Sequence, residues 1–283
     1  MIIEPIIFRG RRFWILRDDL IGGEFNGNKA RKLDFLLNAD LSGVRRIISY
    51  GSSQSNAMYS ISLLAHLRGI KFIYFTHHIC EFLLKNPCGN YAEALKNGME
   101  IYISTDPLSA AKSEFKGKCD IFIPEGVAMS GAEIGFIKQA REIEEFANQN
   151  KLKFDIFLPS GTGCSATFLD KNLPHMQVFT TPCVGDVRYL QEQIYTIDPN
   201  SGVKILTPPK KYHFGKLYAE IYEIYKELKN HSGVEFELLY DGVGWLSLMA
   251  NLSEFSHEIL YIHQGGILGN ITLLERYRRK FKE

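Results

Sequence analysis

The sequence predicts an α/β protein built from open, mostly parallel sheets flanked by helices, and three observations lead there. β-rich runs such as 45–50 and 71–75 alternate with stretches of helical periodicity such as 57–67 and 131–148. Small-residue loops follow strand ends at 51–56 and 159–165, where ligands sit in open parallel sheets. A chain of 283 residues with 45% apolar content can bury a large core, and its length favours two lobes.

In chain order, residues 12–18 read as a short strand, followed by a turn at Asn26-Gly27. Asn28 is the expected N-cap of a helix that Lys29 opens and whose apolar positions Leu33, Leu36 and Leu37 recur at helical spacing. A strand at 45–50, the loop 51–56 and a helix over 57–67 up to Gly69 make half of a βαβ unit, and 71–75 is the next strand. Residues 90–97 read as a short helix and 100–104 as a strand. A long amphipathic helix covers 131–148, its later turns made acidic by Glu142, Glu144 and Glu145. Strands follow at 154–158 and 177–180, then a helix over 217–229. A last strand at 258–262 ends in His263-Gln264-Gly265-Gly266. There is no internal repeat and no low-complexity linker.

Composition narrows the function classes. With 33 basic and 32 acidic residues the net charge is +1, which gives no electrostatic case for nucleic acid or an anionic membrane. The five cysteines, Cys80, Cys88, Cys119, Cys164 and Cys183, form no CxxC pair, which argues against a zinc ribbon or a disulfide framework and suits a reducing, cytoplasmic setting. The N-terminus has neither a signal-peptide apolar core nor a cleavage site, and no run is long enough to span a bilayer. His77-His78 lacks a further ligand at metal-binding spacing, so no metal is expected. Trp14 and Trp245 are expected as core or lobe-interface aromatics.

Three stretches carry chemistry. Lys29 and Lys32 lie three residues apart on one helix face, where mutual repulsion favours a neutral amine suited to Schiff-base formation; a solvated basic helix start is the alternative. The stretch 159–166 follows a strand and leads into helix, so its small residues expose N–H groups that favour a phosphate. It also satisfies G-x-G-x-x-A through Gly161, Gly163 and Ala166, the dinucleotide fingerprint. The strand at 177–180 runs into Thr181-Pro182 without the acid that would hold a ribose, so a single phosphate fits better. An ordinary glycine-rich turn is the third reading, and Cys164 is expected to contribute its backbone N–H rather than its sulfur. In the loop Ser52, Ser53, Gln54, Ser55 and Asn56, backbone amides can hold a substrate carboxylate, and Ser55 or Asn56 can face a reacting atom. Helix capping by Ser53 or Ser55 is the alternative. His263 either lines a pocket or packs at a strand end.

Gly27-Asn28-Lys29-Ala30-Arg31-Lys32-Leu33-Asp34, Gln54-Ser55-Asn56, Pro124-Glu125-Gly126, Gly135-Phe136, Ser160-Gly161-Thr162-Gly163, Tyr240-Asp241-Gly242 and the ending from Ile259 to Gly266 occur in one order along nearly the whole chain. Together they resemble the 1-aminocyclopropane-1-carboxylate deaminase and D-cysteine desulfhydrase family. The resemblance implies pyridoxal 5'-phosphate and a two-lobed, tryptophan synthase β-like fold (fold type II), with a smaller lobe at 43–147 inserted into a large lobe of 1–42 and 148–283. It also implies a homodimer and a small amino-acid substrate. The activity would be that of a deaminase or desulfhydrase, a hydrolase or carbon–sulfur lyase, which releases ammonia and a 2-oxo acid.

By the same resemblance, Lys29 holds the cofactor covalently, Lys32 and Gly161, Thr162, Gly163, Cys164 and Ser165 hold its phosphate, and Asn56 bonds the ring's 3-oxygen. Ser55 is the proton-transfer or nucleophilic residue, and Tyr240 the active-site tyrosine. Asp241 stands where deaminases have a glutamate at the pyridine nitrogen and desulfhydrases a threonine. A carboxylate there favours the protonated ring, a stronger electron sink. Without the resemblance, Asp241-Gly242 reads as a turn. The chain departs from the family at Ala57, Tyr59 and Val243 and is shorter around 76–90 and 169–177, changes that fall on substrate recognition rather than on the cofactor site. Two other classes remain: a catalytically silent amino-acid binder on the same scaffold, and a nicotinamide oxidoreductase using Gly161, Gly163 and Ala166.

Overall fold

The structure is a computed structural model that describes residues 1–21, 23, 25 and 27–282; Asn26, placed above in a turn, lies outside the described residues. The strands in chain order are β1 (Ile3–Phe8), β2 (Arg11–Arg17), β3 (Arg46–Tyr50), β4 (Lys71–Thr76), β5 (Glu100–Ile103), β6 (Asp120–Ile123), β7 (Phe154–Ser160), β8 (Val178–Pro182), β9 (Lys204–Ile205) and β10 (Glu258–His263). The chain divides into two compact units, Met1–Ile21 with Phe136–Glu283 and Gly22–Gly135.

The larger unit is built on a six-stranded sheet in the order β1-β2-β10-β7-β8-β9. Only the β1–β2 pairing is antiparallel; β2–β10, β10–β7, β7–β8 and β8–β9 are parallel. β7 is buried at every position, as a strand covered on both faces must be, which is why its sequence is a continuous apolar run. Trp245 anchors the core. It is fully buried, stacks on Tyr261 at 4.6 Å and meets the edges of Phe8, Phe13 and Phe236 at 5.1–5.5 Å. Trp14 is half-buried instead, packed edge-on to Phe146 and Phe154 with its indole N–H donating to Glu258 Oε2 at 3.1 Å.

The smaller unit is built on a four-stranded, wholly parallel sheet in the order β5-β4-β3-β6. Leu33 and Leu36 of the helix Asn28–Leu37 share one core with Met58, Ile61 and Leu64 of the helix Asn56–Arg68 and with Phe72 and Tyr74 of β4. That shared packing places the Lys29 helix in the smaller unit, although the sequence reading kept 1–42 with the large lobe. At the other boundary the long helix Glu133–Asn150 falls mostly in the larger unit.

Several expectations shift in detail. β1 was not expected; Arg9 and Gly10, both with positive φ, turn the chain back on itself and pair it with β2. Pro159 and Ser160 belong to β7, and Cys164 and Ser165 already lie in the helix Cys164–Asn172, so the turn is confined to 161–163. Asp241-Gly242 opens the helix Asp241–Ala250 rather than making a turn.

Candidate functional site

In the smaller unit, Gly27 with φ 59° caps the helix Asn28–Leu37, so Asn28 is its first residue and not its N-cap. The Asn28 side chain is thereby free to take another role: its Oδ1 accepts a hydrogen bond of 2.9 Å from Lys29 Nζ. Lys29 is half-buried. Lys32, one turn on, is 4% exposed and donates from Nζ to the carbonyl of Gly126 at 2.9 Å. The two amines therefore have different surroundings.

The loop 51–56 leaves the carboxyl end of β3. Gly51 has φ 142°, and a Cβ there would lie 2.7 Å from the Tyr74 hydroxyl and 2.8 Å from Glu125 Oε1, so only glycine fits. Tyr74 reaches this place because β3 and β4 pair Ser49 with Tyr74. Its hydroxyl donates to the Ser52 carbonyl at 3.0 Å, and burial pushes its pKa far up. Ser55, not Ser53, caps the helix Asn56–Arg68, accepting from Ala57 N at 3.1 Å and Met58 N at 3.4 Å. The capping alternative is thus realised, and the Ser55 hydroxyl also meets that of Tyr74. Gln54 N donates to Ser52 Oγ at 3.3 Å. Asn90, 3% exposed, binds Asn56 Oδ1 at 2.6 Å and the Gln54 carbonyl at 3.0 Å. These bonds fix the loop with its N–H groups at the positive end of a helix.

In the larger unit, β7 leads through Gly161 and Thr162 to Gly163, which with φ 72° caps the helix Cys164–Asn172. A Cβ on Gly163 would come within 2.6 Å of Ile194. A Cβ on Gly161 would press on the ring and hydroxyl of Tyr240 at 3.3 Å, so turn and tyrosine adjoin. The result is a tight turn whose amides point out of a helix N-terminus, a cradle for one phosphoryl group.

Tyr240 is half-buried, packs edge-on to Phe214 at 5.4 Å, and donates its backbone N–H to Glu237 Oε2 at 2.6 Å. Asp241, 1% exposed, accepts from the Tyr261 hydroxyl at 2.8 Å and from Glu237 N at 3.0 Å. Burial is the larger influence on its carboxyl and pushes the pKa above the ordinary aspartate value, against the opposing pull of His263. His263 is fully buried. Its Nδ1 lies 3.3 Å from Gly265 N and 3.5 Å from Asp241 Oδ2, and its Nε2 lies 2.8 Å from the Glu235 carbonyl. Of its two sequence readings, packing at the strand end is the one observed.

Tyr74, Asn90 and Glu237 were not singled out by sequence reasoning, and Glu125 and Tyr261 stood in motifs without an assigned role. Among the described residues no group of three His, Cys, Asp or Glu side chains could hold a metal, and no helix is long and apolar enough to cross a membrane.

No family model matches the chain. It is 30% identical to a putative 1-aminocyclopropane-1-carboxylate deaminase of Pyrococcus horikoshii over 92% of this chain and 86% of that one. It is 28% identical to the mitochondrial bifunctional D-cysteine desulfhydrase/1-aminocyclopropane-1-carboxylate deaminase of Arabidopsis thaliana, over 94% of this chain and 75% of the relative. Among solved structures, the crystal structure of an ACC deaminase homologue superposes with a TM-score of 0.74 and 27% identity, covering 94% of this chain and 89% of that one.

Proposed function

The chain belongs to the 1-aminocyclopropane-1-carboxylate deaminase and D-cysteine desulfhydrase family, and on that premise we propose that it is a pyridoxal phosphate-dependent lyase acting on a small amino acid, with release of ammonia and a 2-oxo acid. The observation that carries the reading is a donor set suited to a phosphorylated aldehyde: a half-buried lysine amine held by Asn28, and a glycine cradle at a helix N-terminus beside Tyr240. Lys29 would hold the aldehyde carbon, Lys32 and residues 161–165 the phosphate, Asn56 the ring's 3-oxygen and Asp241 the ring nitrogen. Bound there, pyridoxal phosphate supplies an electron sink for charge developing at the substrate's α-carbon.

The chain's own residues supply the rest. Amides of Ser52, Ser53 and Asn56 would hold the substrate carboxylate at the N-terminus of the helix Asn56–Arg68, those of Gln54 and Ser55 being engaged by Ser52. The Lys29 amine would take the α-proton of an amino acid such as D-cysteine. The cyclopropane acid has no α-proton, so ring opening falls to Ser55 and Tyr240. Ser55 is placed for this at the N-terminus of that helix, its oxygen accepting from two backbone N–H groups and its hydroxyl meeting that of Tyr74. Consumption of D-cysteine breaks a carbon–sulfur bond; opening of the cyclopropane acid with loss of ammonia is hydrolytic overall. The same reading places the enzyme in the cytoplasm as a homodimer, which light scattering after size exclusion tests.

The decisive experiment is the absorption spectrum of the purified protein. A borohydride-sensitive near-ultraviolet or visible band, abolished in Lys29→Ala, supports the reading. Nucleotide binding with indifference to Lys29→Ala would instead identify a nicotinamide enzyme. Product assays for pyruvate from D-cysteine, L-cysteine and D-serine, and for 2-oxobutyrate from the cyclopropane acid, identify the substrate; product from none would mark a silent binder.

A further inference from the structure

Glu125 has no part in the scheme above, yet its carboxylate lies against the loop that the scheme uses. It sits in the turn that follows β6, the neighbour of β3 in the sheet, and its Oε1 comes within 2.8 Å of where a Gly51 side chain would begin. The residues facing it are Tyr74, whose hydroxyl is committed to the Ser52 carbonyl, Tyr50, which meets its backbone N–H, and His77, which is exposed and attracts it without forming an ion pair. Among the described residues the carboxylate makes neither a hydrogen bond nor an ion pair, so it takes none of the loop's N–H groups. The residue as a whole stays open to solvent; its carboxyl end is the part set against Gly51 and Tyr74, and that local burial pushes its pKa up.

The loop thus offers donors to an anion, and beside it stands a group that can only accept. A molecule satisfying both carries a carboxylate for the amides and, a few bonds away, a hydrogen-bond donor for Glu125. We propose that Glu125 is the specificity-determining residue of the substrate loop, selecting amino acids whose side chain ends in a hydroxyl, thiol or ammonium and rejecting those that end in a carboxylate. Rejection follows because two acceptor-only charges placed together repel and neither has a proton to share. This inference rests on the reading of 52–56 as the carboxylate loop.

The test uses the holoenzyme at pH 8, with binding read as the change in the bound cofactor's absorption on titration with each enantiomer of 2,3-diaminopropionate, serine and aspartate. Wild type is expected to bind aspartate at least about tenfold more weakly than 2,3-diaminopropionate. Glu125→Gln, which keeps the shape and removes the charge, is expected to lower that ratio about tenfold while binding serine within about threefold of wild type. Glu125→Ala should lower it as well. Spectral responses with an unchanged ratio in both variants overturn the role of Glu125 and leave the proposed function standing. A wild type that responds to no amino acid overturns both. Thermal melting follows the folding of each variant, and if both unfold the wild-type ratio decides alone: equal affinity for the cationic and anionic amino acids overturns the inference.

Discussion

The ionisable groups named in the larger unit form one buried network, whereas those in the smaller unit range from buried Lys32 and Tyr74 to half-buried Lys29 and exposed Glu125. In the larger one Asp241, Glu237, Tyr261 and His263 are buried and hydrogen-bonded to one another or to backbone, and loss of solvent pushes up the pKa of the Asp241 carboxyl and of the Tyr261 phenol. In the smaller one Lys29 is half-buried and Glu125 is open, without a partner among the described residues. A buried network is expensive to alter, since each lost partner strands another group. An open carboxylate on a loop can change at little cost to folding.

The sharpest way to break the contrast is to remove the half-buried lysine that the proposed chemistry requires. Lys29→Ala should abolish the borohydride-sensitive band and lower ammonia release by at least about a thousandfold, while the melting temperature barely moves. A variant that keeps the band would show that another amine captures the aldehyde.

Asp241 is the opposite case, where the effect should appear in stability. Asp241→Ala strands the Tyr261 hydroxyl and the Glu237 N–H and should cost about 2–4 kcal/mol in urea unfolding. Asp241→Asn separates charge from shape. The carboxyl pKa is raised in the folded chain, so the folded state holds this proton more readily than the unfolded one. Its contribution is therefore complete below about pH 4 and drains away as pH rises through the folded value. The stability of wild type relative to Asp241→Asn should fall as pH rises above about 4. A difference that stays flat or grows with pH would mean that the carboxylate is ionised at no cost.

Gly163→Ala tests the cradle. Its φ of 72° and the 2.6 Å approach to Ile194 predict a loss of about 1–3 kcal/mol together with weaker retention of the cofactor on dialysis. An unchanged melt with normal retention would show that the turn can relax and that its backbone geometry is not what holds the phosphate.

These groups were unequally legible in the sequence. Strands buried on both faces, β3, β4 and β7, announce themselves as apolar runs, and the 161–163 turn announces itself by small residues. β1 was unread because its hairpin depends on backbone conformation at Arg9 and Gly10 rather than on an apolar run. The helix Asp241–Ala250 was unread because Asp-Gly is a local turn signal, overridden here by packing of Trp245 and Leu248 in the core. Lys29 was found from local spacing. Tyr74 and Asn90 were not, because their partners on the 51–56 loop lie far away in sequence and are set by strand register and helix packing.

The smallest effect divides one residue between two roles. Ser55 caps the helix Asn56–Arg68, so Ser55→Ala should cost about 1 kcal/mol whether or not the hydroxyl takes part in chemistry. Asparagine is as good a cap as serine but lacks the hydroxyl. Ser55→Asn should therefore recover most of the stability and none of the activity lost in Ser55→Ala. If asparagine restores turnover along with the melting temperature, Ser55 only ends a helix, and proton transfer must be sought at Lys29 or Tyr240. If it restores stability alone, the smaller unit supplies a reacting group as well as recognition, and the division between the two units is less strict than their ionisable groups suggest.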